Sequence, residues 1–144
     1  MDTAIPSIKE GTPAPGGKHT VLYVEDSRTN THLITQILAK FRPDIELITV
    51  DRGEDALELA ATRLPVLVLM DINLPGIDGV ETMLRLREVQ GLQHIPMIAV
   101  SANAMPEDKE RALEAGFLRY FTKPIAMIAL LELLEELLVE AVPD

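Results

Sequence analysis

The sequence predicts an α/β fold in which five parallel strands form one sheet covered by helices on both faces. Two patterns carry this reading. Residues 20–24, 66–70 and 97–100 are almost continuous apolar runs, as strands buried on both faces require. Between such runs the apolar residues switch to a three-and-four spacing, the mark of a helix with one buried stripe. Alternation of the two patterns calls for parallel strands joined by right-handed crossovers.

In chain order, residues 1–18 carry Pro6, Gly11, Pro13, Pro15, Gly16 and Gly17 with little apolar periodicity, so a flexible tail or linker is expected there. The folded domain is expected over residues 19–142. The first strand, 20–24, is followed by Ser27, a suitable N-cap, and by Leu33, Ile34, Ile37, Leu38 and Phe41 at helical spacing. The second strand covers 45–50, and a helix over 54–63 carries Ala56, Leu57, Leu59 and Ala60 and ends before Pro65. The third strand, 66–70, precedes a helix over 80–89 with Val80, Met83, Leu84 and Leu86. The fourth, 97–100, precedes a helix over 106–115: Pro106, Glu107 and Asp108 suit its first turn, and Gly116 stops it. The fifth strand, 119–122, leads through Pro124 into a helix over 125–141. At this size the usual solution is the flavodoxin-like (βα)5 doubly wound sheet with strand order 2-1-3-4-5.

Composition narrows the function. The 144 residues are 47% hydrophobic but only 3% aromatic, so the core is aliphatic. A formal charge of −10 argues against nucleic acid and against an anionic membrane surface, both of which need clustered Lys and Arg. The absence of cysteine excludes thiolate catalysis, disulfides and Cys-based zinc sites. With no apolar run long enough to span a bilayer and no secretion signal, a cytoplasmic protein without membrane insertion is expected.

Ligands of open α/β sheets bind beyond the carboxyl ends of the strands. There the sequence places Glu25 and Asp26 after the first strand, Asp71 after the third, Ser101 after the fourth and Lys123 after the fifth. In the 2-1-3-4-5 order strands 1 and 3 are neighbours, so the three carboxylates converge. Crowded carboxylates repel, and a divalent cation relieves them; Mg²⁺ suits so sparse a set because it keeps waters and phosphate oxygens as ligands. Asp71, at the centre of the edge, is the candidate nucleophile toward phosphorus, with Lys123 neutralising the transferring oxygens and Ser101 donating to the new phosphate. Taken singly these are a helix cap, a loop hydroxyl and a solvated lysine; their shared placement makes the site.

With those segments in view, the chain resembles the receiver domain of two-component response regulators. The match runs through Val21-Leu22-Tyr23-Val24-Glu25-Asp26-Ser27, residues 66–79 from Val66 to Gly79, Ile98-Ala99-Val100-Ser101-Ala102 and Tyr120-Phe121-Thr122-Lys123-Pro124-Ile125, spanning about residues 19–140. The resemblance implies that Asp71 is the phosphoacceptor and that Asp26, Asp71 and the backbone carbonyl of Asn73 hold Mg²⁺. It makes Ser101 the switch hydroxyl, Tyr120 the switch aromatic and Lys123 the conserved-type lysine, with a cis peptide before Pro124. Glu25 replaces the more usual aspartate, and its extra methylene favours contact through a metal-bound water. Asn73 and Asn103 occupy positions that modulate dephosphorylation in the family. A histidine kinase or histidine phosphotransfer protein is the implied donor. The implied output surface, toward a downstream protein or a second copy, is the fourth helix, fifth strand and fifth helix.

Other functions fit less well. Aspartyl phosphohydrolases of the haloacid-dehalogenase type need Asp-x-Asp after the first strand; here Asp71-Ile72-Asn73 follows the third, and Asn73 cannot act as general acid. A nucleotide-binding reading lacks a glycine-rich loop, since Glu25-Asp26-Ser27-Arg28 puts acid where phosphate would sit. A degenerate receiver serving as a scaffold would not be expected to keep the full acid, hydroxyl and lysine set. In the last helix, Ala126, Met127, Leu130, Leu131, Leu134, Leu137, Leu138, Ala141 and Val142 fall within about half the circumference, with Ile128 and Val139 outside it. That breadth is consistent with a wide core stripe or with a partner-facing surface. Whether the receiver stands alone or ends a hybrid sensor kinase stays open at this point.

Overall fold

A computed structural model of the protein describes residues 19–138. The expected tail over 1–18 and the expected helical residues Val139, Ala141 and Val142 lie outside the described residues. The order of elements is β1 His19–Val24, α1 Arg28–Phe41, β2 Ile45–Val50, α2 Gly53–Ala60, β3 Leu67–Asp71, α3 Gly79–Leu86, β4 Met97–Ser101, α4 Pro106–Ala115, β5 Arg119–Thr122 and α5 Met127–Leu137. All strand pairs are parallel, in the order β2-β1-β3-β4-β5, so the flavodoxin-like (βα)5 architecture read from the sequence is the one observed.

The two sides of the sheet follow from strand parity, because successive side chains point to opposite faces. Val21 and Tyr23, Leu67 and Leu69, and Ile98 and Val100 bury against α1 and α5. Leu22 and Val24, Val68 and Met70, and Met97 and Ala99 bury against α2, α3 and α4. Each central strand therefore feeds two cores, which explains its unbroken apolar run. Ser27 caps α1 by accepting from the Asn30 N–H at 3.3 Å, and Asp78 caps α3 by accepting from the Glu81 N–H at 2.9 Å.

Three helices are shorter than their periodicity suggests. α2 stops at Ala60, and the Ala61 and Thr62 amides reach only three residues back. α3 stops at Leu86, where Glu88 and Val89 make the same tighter turns. α5 begins at Met127: Ala126 is extended, and Ile125 turns into the core instead of opening the helix. Its buried stripe is also rotated, being formed by Leu130, Leu133 and Leu134, while Met127 is well exposed and Ile128 is 62% exposed. Among the described residues no helix is long and apolar enough to cross a membrane.

The entry to α3 lies directly on the end of β3. A Cβ at Gly79 would sit 2.3 Å from the Asp71 carbonyl oxygen and 2.8 Å from the Ile72 Cα, both backbone atoms that cannot step aside. Gly79→Ala is therefore expected to destabilise the protein by about 2–3 kcal/mol in urea unfolding; an unchanged midpoint would contradict this packing.

Candidate functional site

Backbone pairing holds the candidate residues at one edge of the sheet. Past β1, the Glu25 N–H still donates to the Val50 carbonyl at 2.9 Å. Asp71 and Ser101 are the last residues of β3 and β4, one step further along their strands than their sequences suggest. The Ile72 N–H donates to the Val100 carbonyl at 3.0 Å, and the Lys123 N–H to the Ser101 carbonyl at 2.8 Å. The peptide between Lys123 and Pro124 is cis, as the resemblance implies.

Lys123 Nζ lies between two buried acids, 3.0 Å from Glu25 Oε2 and 3.1 Å from Asp71 Oδ2. Asp71 Oδ1 accepts the Asn73 N–H at 3.0 Å, which draws the Asn73 peptide in beside the acids. Asp26 is exposed at the mouth. One carboxylate oxygen from each of Glu25, Asp26 and Asp71 lies within 4.8 Å of the others, so three acids face one ammonium and negative charge is in excess. This all-oxygen, partly exposed donor set fits a hard divalent cation that retains several waters.

Burial pushes the Asp71 carboxyl above its ordinary range, and the charge of Glu25 adds to this; the Asn73 N–H and Lys123 pull the other way without cancelling it. Burial alone would lower the Lys123 ammonium, but its hydrogen bonds to Glu25 and Asp71 leave it raised. The site therefore carries a fixed positive charge next to a carboxylate whose ionisation the fold opposes.

Ser101 is buried, and its Oγ accepts the Asn103 N–H at 3.0 Å. The half-buried Tyr120 donates its hydroxyl to the Asn103 carbonyl at 2.7 Å. One residue of the loop after β4 is thus gripped from both sides by the two expected switch residues. A cleft of roughly 960 Å³ flanks the acids on the other side, lined among others by Asp26, Arg28, His32, Asp51 and Asp55. Asp71 and Lys123 do not line it.

Glu25, Asp26, Asp71, Asn73, Ser101 and Lys123 lie at this edge and Tyr120 reaches it through its hydroxyl, but two relationships were not foreseen. Glu25 has both oxygens engaged: Oε1 accepts the Tyr23 hydroxyl at 3.1 Å, and Oε2 accepts the Ser27 N–H at 3.1 Å as well as Lys123. Tyr23 reads in the sequence as one more residue of an apolar run; its position two before Glu25 on a strand, hence on the same face, was the available signal. Glu54 of α2 was also missed: its Oε2 accepts the Ile77 N–H at 3.3 Å, bracing the loop after β3.

A doubly wound sheet with acids and a lysine at its switch point defines a class of ligand-binding α/β domains, and comparison with known proteins narrows it. The family model for the response regulator receiver domain matches residues 21–135. The polar-differentiation response regulator DivK of Brucella ovis is 37% identical over 122 residues, covering 85% of this chain and 98% of DivK. The receiver domain of sensor histidine kinase PA1611 from Pseudomonas aeruginosa PAO1, solved with a magnesium ion coordinated in its active site cleft, superposes with a TM-score of 0.76 at 28% identity. That match covers 85% of this chain and 99% of the other. The signal receiver domain of a histidine kinase from Syntrophus aciditrophicus gives 0.75 at 27% identity, covering 88% and 94%. The chain belongs to the response regulator receiver domain family, and its place is in two-component signalling.

The raised Asp71 predicts a stability effect with a definite sign. Folding opposes its ionisation, so stability associated with this group falls as pH rises from its unfolded value, near pH 4, through its folded one. Asp71→Asn is expected to raise the Tm in metal-free buffer at pH 7, with the gain vanishing below about pH 4. Thermal melts across that range check this; a loss of stability at pH 7 would contradict it.

Proposed function

We propose that this receiver domain accepts a phosphoryl group on Asp71 from a phosphohistidine donor, with Mg²⁺ held by Asp26, Asp71 and the Asn73 carbonyl. The observation that carries the proposal is the placement of the Asp71 carboxylate, 3.1 Å from Lys123 Nζ and within 4.8 Å of oxygens of Glu25 and Asp26. The Mg²⁺-bound receiver of PA1611 supports the choice of metal. The donor would be a histidine kinase or a histidine phosphotransfer protein.

In the transfer, a carboxylate oxygen of Asp71 forms a bond to phosphorus while the phosphorus–nitrogen bond to the donor imidazole breaks, and the imidazole nitrogen recovers a proton. Mg²⁺ supplies neutralisation of the acids and of the phosphoryl oxygens as their charge shifts. Lys123 holds positive charge at the acceptor oxygen throughout, so little reorganisation is needed as the transition state forms. Slow loss of the group by attack of water on phosphorus returns Asp71 and releases inorganic phosphate.

The output follows from the grip on Asn103. When the Ser101 Oγ swings toward the phosphoryl group to donate to it, the oxygen leaves the Asn103 N–H, and the loop that Tyr120 holds by the Asn103 carbonyl is freed to move. The surface that changes is built from α4, β5 and α5. Leu113, Leu118 and Ile128 are exposed there, with Met105 at the entry to α4, and they suit a downstream protein or a second copy of the chain.

Mass measurement of the intact protein after incubation with acetyl phosphate and Mg²⁺ tests the proposal. The protein is expected to gain one phosphoryl group, Asp71→Asn or chelation of the metal to abolish the gain, and Lys123→Ala to slow it by about 10²–10³-fold. A gain undiminished in Asp71→Asn, or none from any phosphohistidine donor, would overturn it. Sedimentation with and without beryllofluoride addresses the surface: self-association that strengthens with the mimic and is lost in Ile128→Glu is expected. A monomer at all concentrations would exclude the second copy as the occupant.

A further inference from the structure

We propose that Tyr23 is a positioning residue of the acceptor site: its hydroxyl locks Glu25, and through Glu25 it sets the distance between Lys123 and Asp71. The inference rests on the reading of Asp71 as acceptor and extends it to a residue buried beneath the acids.

Tyr23 lies in β1 and Glu25 one residue past its end, where the pairing to Val50 still continues, so the two side chains leave the backbone on the same face. Tyr23 is 1% exposed, in a core cluster with Ile34, Ile37 and Leu130. A hydroxyl in such surroundings is costly without a partner, and Glu25 Oε1 at 3.1 Å provides one. Burial, reinforced by the charge of Glu25, raises the phenol far above its ordinary value, so the group stays protonated and donates.

Glu25 needs such an anchor. A glutamate has one more rotatable bond than an aspartate, and a carboxylate on that longer arm has more positions to choose from. Tyr23 fixes one oxygen, which leaves Oε2 aimed at the Ser27 N–H and at Lys123 Nζ, at 3.1 and 3.0 Å. Lys123 in turn stands 3.1 Å from Asp71. The chain of contacts runs from the core to the acceptor without a gap. Without the hydroxyl, Oε1 is left buried and unpaired. The carboxylate then turns toward the nearest remaining donor, Lys123, and draws the ammonium off Asp71.

A double-mutant cycle isolates this role. Tyr23→Phe keeps the ring and its packing. Glu25→Asp withdraws the carboxylate by about 1.5 Å, one carbon–carbon bond, beyond reach of the hydroxyl. Two quantities are measured in each background: the rate of phosphorylation by acetyl phosphate at saturating Mg²⁺, and the amide proton shift of Ser27 in the metal-free protein. Tyr23→Phe is expected to slow phosphorylation by about tenfold and to move the Ser27 resonance toward that of a free amide. In the Glu25→Asp background the same change should alter neither quantity. Equal effects in both backgrounds, or no effect in the unsubstituted protein, would overturn the assignment. If the unsubstituted protein accepts no phosphoryl group, the acceptor reading fails, and the Ser27 shift alone decides the role of Tyr23.

Discussion

One ammonium organises the functional end of this molecule. Lys123 Nζ lies 3.0 Å from Glu25 and 3.1 Å from Asp71, on a side chain only 16% exposed, and joins the ends of β1, β3 and β5. Burying three charged groups together is a poor route to stability, because desolvation offsets most of the attraction. Its use lies elsewhere: Asp71, the proposed acceptor, has its counter-charge in place before any substrate arrives. The excess negative charge then makes the site receptive to a cation and to the electrophilic phosphorus that a cation accompanies.

The rest of the fold serves to hold that ammonium and those acids in register. Parallel pairing carries the backbone ladder up to Glu25, Ile72 and Lys123, so Glu25, Asp71, Ser101 and Lys123 are fixed by it, while Asp26 and Asn73 each stand one residue beyond it. On the far side of Ser101 the arrangement is looser by design of the contacts. Asn103 is exposed and held by two single hydrogen bonds, one to Ser101 Oγ and one from Tyr120. Two buried acids bonded to one lysine beside a lightly held loop suit the proposed switch, since a local change of charge would meet little resistance in that loop.

The architecture was legible in the sequence because strands buried on both faces leave an unmistakable run, as in Val66-Leu67-Val68-Leu69-Met70, and because parity sends Leu67 and Leu69 to one core and Val68 and Met70 to the other. Helix ends were not. The apolar spacing of Val80 to Val89 continues past Leu86, where the backbone tightens into turns that preserve the pattern without the helix. In α5 the periodicity located a stripe but not its centre, since Leu133 buries and Met127 does not, and only packing into the core shared with α1, β1, β3 and β4 could decide that. The acids, hydroxyl and lysine stood out because they end apolar runs. Tyr23 stayed hidden inside one, where an aromatic ring suffices to explain its presence and its hydroxyl leaves no trace in the pattern.

The most direct examination of the central claim is chemical. An acyl phosphate is reduced by borohydride to an alcohol, which converts a phosphorylated aspartate to homoserine and leaves phosphorylated serine, threonine or histidine untouched. The protein treated with acetyl phosphate and Mg²⁺, reduced and digested, should contain homoserine at position 71 and at no other aspartate. Homoserine at position 26, or a phosphoryl group that survives reduction on Ser101 or His32, would contradict the account.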